Sequence, residues 1–127
     1  MNSAIESIFI TDYVVEDGYY STKGSVVLNP SLIVNGFLMP ELKFKYVGGN
    51  FIALNCGLTS LSRFPTVVGG NLLLRDNKLT TLEHCPINIL GNLNVSYNRL
   101  INLNHFPRFL GGSLFTHQNE LDSLYGL

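Results

Sequence analysis

Residues 47–67 read VGGNFIALNCGLTSLSRFPTV, residues 68–88 VGGNLLLRDNKLTTLEHCPIN, residues 89–109 ILGNLNVSYNRLINLNHFPRF and residues 110–127 LGGSLFTHQNELDSLYGL. The four stretches align without a gap at a period of 21 residues, the last ending after eighteen. A fixed period of this size is the mark of a solenoid, in which one unit cannot bury its own apolar face and neighbours must cover it. The columns of the alignment then have physical meanings. Phe51, Leu72, Leu93 and Leu114 form one apolar pillar; Leu58, Leu79, Leu100 and Leu121 a second; Leu61, Leu82, Leu103 and Leu124 a third. Phe64, Cys85, Phe106 and Leu127 form a fourth, in which Cys85 reads as a small buried hydrophobe.

Two polar columns punctuate the pillars. Cys56, Asn77, Asn98 and Asn119 make a spine, because an amide has both a donor and an acceptor for the backbone groups of successive turns, while the Cys56 thiol substitutes only weakly. Gly49, Gly70, Gly91 and Gly112 suggest a turn that requires positive φ. Pro65, Pro86 and Pro107 recur near the end of each unit and block a regular helix there. With 21 residues per unit, the back of each turn is expected to be extended or 3₁₀ rather than α-helical.

The frame L-x-x-L-x-L-x-x-N-x-L is visible in Leu90, Leu93, Val95, Asn98 and Leu100, and with it the chain resembles the leucine-rich repeat family. The Gly-Gly-Asn opening resembles the short repeats of bacterial and bacteriophage proteins. The resemblance covers residues 47–127; it departs at the first Leu, which is Gly48, Gly69 or Gly111 in the other units, and at the small Ala53 and Thr116. It implies a leucine-rich-repeat solenoid, mostly β, with parallel strands on a concave side and an extended or 3₁₀ convex side. It also implies a binding role, such as a phage or bacterial modulator or inhibitor of a host protein.

Residues 1–46 lack the period. Ile8, Phe9 and Ile10, then Tyr13, Val14 and Val15, are β-rich; Asp17-Gly18 is a turn signal; Tyr19-Tyr20 and Val26-Val27-Leu28 resume strand character. A β-hairpin is expected, followed by one degenerate repeat from Gly24 to Tyr46 with Leu32, Phe37 and Pro40 as echoes. Together they read as an N-terminal cap on residues 47–127 rather than a separate domain. After Leu124-Tyr125-Gly126-Leu127 no equivalent cap follows, which leaves three readings: Tyr125 and Leu127 as a minimal lid, a homodimer through the C-terminal repeat, or an edge covered by a partner.

Composition bounds the function. The 127 residues suit one domain, and 13% charged against 46% apolar excludes a disordered charged tail. Twenty-one Leu beside fourteen Asn and only two Ala point to an apolar stack flanked by an ordered polar ladder, not a helical bundle. Eight basic residues at a net charge of −1 make a poor footprint for nucleic acid. Apolar runs such as Val26-Val27-Leu28 fall far short of the roughly 18 residues of a membrane span. Residues Met1 to Ser7 have no basic region, and Glu6 stands where a secretion signal is apolar. Cys56 and Cys85, without metal-ligand spacing, read as reduced thiols of a cytoplasmic protein, in the host cytoplasm if phage-encoded.

The expected site lies on the concave strand. Leu93 and Val95 point inward, so Asn92, Asn94, Ser96 and Tyr97 point out. Across units the outward rows are Asn50, Asn71, Asn92, Ser113; Ile52, Leu73, Asn94, Phe115; Leu54, Arg75, Ser96, His117; and Asn55, Asp76, Tyr97, Gln118. Ile52, Leu54, Leu73 and Phe115, rimmed by Arg75, Asp76, Asn94, Tyr97 and His117, have the composition of a protein-binding surface. The competing readings are an N-terminal segment folded over this face, and strand propensity alone. Glycan binding on Asn92, Asn94 and Tyr97 is a further alternative. Ser96 and His117 share a row, but Asp76 is about two rungs, on the order of 10 Å, from His117, too far for a triad. His84 and His105 share an outer column, yet two imidazoles beneath Arg63 make a poor metal site. No catalytic residue, metal or cofactor is assigned.

Overall fold

The structure is a computed structural model, and it describes residues 12–121. The chain forms a hairpin of β1 (Tyr13–Glu16) and β2 (Tyr19–Thr22), then β3 (Val26–Val27), a 3₁₀ turn over Pro30–Leu32, and a second hairpin of β4 (Ile33–Val34) and β5 (Phe37–Leu38). There follow β6 (Phe44–Val47), β7 (Phe51–Ile52), β8 (Val67–Val68), β9 (Leu72–Leu73), β10 (Asn88–Ile89), β11 (Leu93–Asn94), β12 (Phe109–Leu110) and β13 (Leu114–Phe115). The molecule is a β-solenoid. One parallel sheet runs β13-β11-β9-β7-β3; the other runs β1-β2-β6-β8-β10-β12, parallel except for β1. The extended back expected of a 21-residue turn is therefore a second sheet, and Pro30–Leu32 is the one 3₁₀ segment among the described residues.

The repeat sets the register. Phe51 pairs with Leu72, Leu72 with Leu93, and Leu93 with Leu114 in the first sheet. Val47 pairs with Val68, Val68 with Ile89, and Ile89 with Leu110 in the second. The pillars named from sequence lie in the core between the sheets: Phe51, Leu58, Leu61, Leu72, Leu79, Leu82, Leu93 and Leu100 are fully buried. Leu124 and Leu127 fall outside the described residues. At the N-terminal end the core is aromatic. Tyr13, Tyr20, Phe44, Phe51 and Phe64 follow one another with ring centroids 4.9–6.1 Å apart, closing on a stacked Phe51–Phe64 pair.

The Gly24 to Tyr46 stretch completes a full turn, but a longer one. Val26 pairs with Phe51, four residues beyond the 21-residue spacing, and the added length is taken up by the β4–β5 hairpin. Its two turn residues, Asn35 and Gly36, both have positive φ (52° and 86°), as an Asn-Gly type I′ turn requires. The β1–β2 hairpin turns in the same way at Asp17-Gly18 (φ 53° and 81°), and β2 joins β6 in parallel. The expected strand at Ile8–Ile10 lies outside the described residues.

The glycine column needs a correction. Gly49, Gly70, Gly91 and Gly112 do not have positive φ. They are glycine because consecutive turns touch there: a Cβ on Gly91 would collide with Asn71 Oδ1 and stand 2.8 Å from the Gly70 carbonyl. Positive φ falls on side-chain-bearing columns instead, Asn55, Asp76, Tyr97 and Gln118 in one and Arg63, His84 and His105 in another. The Asn50, Asn71, Asn92, Ser113 row is also not a free outward surface. Asn50 Oδ1 accepts the Asn71 N–H, Asn71 Oδ1 the Asn92 N–H, and Asn92 Oδ1 the Ser113 N–H, at 2.7–2.8 Å.

The spine column behaves as its chemistry demands. Asn77 Oδ1 accepts the Cys56 and Leu58 N–H groups at 3.0 Å, and its Nδ2 donates to the Ala53 and Leu74 carbonyls at 2.8 and 3.0 Å. Asn98 repeats the pattern with Leu79 N–H and the Leu74 and Val95 carbonyls, and Asn119 with Leu100 N–H and the Val95 and Thr116 carbonyls. Cys56 performs only the donor half, its Sγ reaching the Leu54 and Leu28 carbonyls at 3.4 and 3.7 Å.

Candidate functional site

The outward face of the five-stranded sheet is built by strict alternation. Phe51 and Ala53, Leu72 and Leu74, Leu93 and Val95 are buried, and the residues between them face out. The ladder aligns Val27, Ile52, Leu73, Asn94 and Phe115 across the five strands. The row read from sequence is therefore correct in register and one residue longer, at Val27. Ile52, Leu73 and Asn94 are half-buried because each is flanked by row neighbours one rung, about 4.8 Å, away. Val27, Leu54 and Phe115 are exposed.

Five of the expected residues, Arg75, Asn94, Tyr97, Phe115 and His117, line a single open depression of about 270 Å³ with Ser96 and Gln118. Ile52, Leu54 and Leu73 lie outside its lining, and Asp76 stands at its edge, 3.5 Å from Arg75. The Arg75 guanidinium lies 4.7 Å from the centre of the Tyr97 ring. Ser96, expected to face out, is 3% exposed. Its Oγ accepts the His117 N–H at 3.1 Å and lies 3.5 Å from His117 Nδ1, while its own N–H is held by Asn94 Oδ1 at 3.0 Å. The hydroxyl thus fixes the floor of the depression and the tilt of the imidazole. Tyr97 has a left-handed backbone, φ 58°, as do its column partners Asn55, Asp76 and Gln118.

Sequence reasoning missed a second outward row. Across the six-stranded sheet, Val14, Ser21, Tyr46, Val67, Asn88 and Phe109 align one strand to the next. Val14, Tyr46 and Phe109 are exposed, as is Leu90 nearby. The signal was present in the 21-residue column Tyr46, Val67, Asn88, Phe109, which precedes the buried column Val47, Val68, Ile89, Leu110.

Both cysteines are free thiols, and burial pushes each up from its ordinary pKa, Cys85 to about 12. His84 pairs with Glu83 at 3.3 Å on the surface, and no group of three potential metal ligands occurs among the described residues. No helix among them is long and apolar enough to cross a membrane. Comparison with family models, curated proteins and solved structures gives no match to this chain.

Proposed function

We propose that the chain is a leucine-rich-repeat type of solenoid that binds a protein partner, without catalysis, through the outward face of its five-stranded sheet. The observation that carries this reading is the joining of the apolar row Val27, Ile52, Leu73 and Phe115 to a depression walled by Tyr97 and Arg75. Aromatic and Arg side chains beside apolar area are the usual anchors of protein interfaces, and here each stands on a hydrogen-bonded ladder that holds it in place. The family reading is supported by the asparagine spine, whose bonds recur at Asn77, Asn98 and Asn119. In this reading the β1–β2 hairpin is the N-terminal cap, supported by its pairing with the end of the six-stranded sheet. A cytoplasmic host factor of a bacterium is the partner we favour, on the strength of the Gly-Gly-Asn repeats.

One observation favours a second reading, a homodimer through the C-terminal repeat. Leu110 and Leu114 are half-buried, whereas their column partners Ile89 and Leu93 are fully buried. Light scattering across a concentration series separates the two. The glycan alternative is weakened because the Asn92 amide oxygen is already committed to Ser113.

The test is capture from bacterial lysate with wild type and Leu73→Asp side by side. Leu73 faces out, so the variant is expected to stay folded and to lose the partner. Retention of the same partner at full strength would remove this face from the interface.

A further inference from the structure

The depression at the C-terminal half of the five-stranded sheet carries a guanidinium and no carboxylate in its lining. Asn94 Oδ1 is used by the Ser96 N–H, which leaves the Asn94 amide donors without a partner among the described residues. His117 turns Nδ1 toward Ser96, so its Nε2 is the ring atom left to meet a ligand. Arg75 lies over the Tyr97 ring and meets Asp76 at 3.5 Å through Nε, an exposed pair of small energetic weight. Its terminal guanidinium nitrogens therefore remain to bind. The lining contains no carboxylate. Lys78 and Arg99, in the next outward column, extend the positive edge, against Asp76 and Glu120. Tyr97 and Phe115 also line it and supply aromatic surface for an apolar group.

The Asn94 amide donors, a guanidinium 4.7 Å from an aromatic ring centre, the lack of a carboxylate in the lining and a second aromatic residue select a carboxylate near an apolar side chain. We propose that this depression receives an acidic side chain and the apolar side chain two residues before it from an extended acidic-apolar segment of the protein partner. This rests on the binding reading above and names the chemistry of its anchor. An extended segment suits the site, because successive side chains of a strand point to opposite sides and alternate ones meet the same surface. The apolar side chain meets Phe115, and the carboxylate meets Arg75.

The probe is a pair of capped peptides, acetyl-Phe-Gly-Glu-amide and acetyl-Phe-Gly-Gln-amide, titrated into the isotopically labelled full chain and followed by backbone amide shifts. Shifts are expected at Ser96, Tyr97 and His117 with the Glu peptide, and the Gln peptide should bind roughly tenfold more weakly, the worth of one charge-assisted hydrogen bond. Arg75→Gln, an exposed substitution that leaves the core untouched, should erase the difference between the peptides. Equal binding of both peptides, a preference that survives in Arg75→Gln, or no shift at these residues would overturn the proposal. So would shifts there with a neutral oligosaccharide and none with the Glu peptide. Failure here stays distinguishable from failure of the broader reading. A lysate partner lost with Leu73→Asp but kept with Arg75→Gln leaves the binding face standing and removes only the acidic anchor.

Discussion

Replacing Asn98 with Ala removes a buried amide from the middle of the spine. Asn98 is 7% exposed; its Oδ1 takes the Leu79 N–H at 3.0 Å and its Nδ2 gives to the Leu74 and Val95 carbonyls at 2.9 and 3.0 Å. Alanine leaves the Leu79 N–H without a protein partner between two packed turns, while the Leu74 and Val95 carbonyls keep the Asn77 and Asn119 amides. A buried polar group left unpaired costs about 1–3 kcal/mol, so the expected loss is about 2 kcal/mol. The assay is urea unfolding followed by circular dichroism, with Asn104→Ala as the control, because Asn104 is exposed and outside the spine. The control should unfold with wild type. An Asn98→Ala variant within about 1 kcal/mol of wild type would refute the reasoning, since the amide would then be doing no more than a solvated side chain.

Three further outcomes are expected. Gly91→Ala places a Cβ where Asn71 Oδ1 and the Gly70 backbone already stand, and should lower stability by roughly 2–3 kcal/mol in the same assay, whereas Leu90→Gly next to it should be tolerated. His105→Gly relieves a left-handed backbone (φ 67°) at an exposed position and should raise stability by about 0.5–1 kcal/mol, read as a shift of the urea midpoint. The Cys85 thiol stays protonated in the folded chain up to about pH 12 but ionises near 9 once unfolded, so its stabilisation is intact below pH 9 and lost as pH rises from 9 toward 12. Between pH 9 and 10 wild type should lose about 1 kcal/mol more than Cys85→Val, as measured by urea unfolding at each pH.

The solenoid was legible because its columns are chemically unambiguous. Leucines at 21-residue intervals have one place to go, and an Asn column beside them has few uses other than satisfying backbone. The β1–β2 hairpin was legible from Asp17-Gly18. The equal signal at Asn35-Gly36 passed unread, because the four extra residues it belongs to also break the period that was guiding the eye. The glycine column was assigned the wrong cause: sequence shows that a side chain is excluded but not whether a torsion or a neighbouring backbone excludes it, and only the distance from Gly91 to Asn71 and Gly70 decides. The alternation that placed Leu73 and Asn94 on one outward row follows from strand geometry and could be read directly. That Ser96 sinks beneath His117 could not, since it depends on the hydroxyl capturing a backbone N–H one turn away. The six-stranded sheet was expected only as an extended back, and its outward row of Val14, Tyr46, Val67 and Phe109 was unread for that reason.

Two outward faces with apolar side chains make the choice of face the central question. It is answered by measuring the affinity of the captured partner for wild type, Leu73→Asp on the five-stranded sheet and Val67→Asp on the six-stranded sheet, after circular dichroism has shown all three folded. Binding through the five-stranded face requires Leu73→Asp to weaken the complex by at least about tenfold, roughly 1.4 kcal/mol, while Val67→Asp stays at the wild-type value. The reverse pattern, loss with Val67→Asp and none with Leu73→Asp, would contradict it.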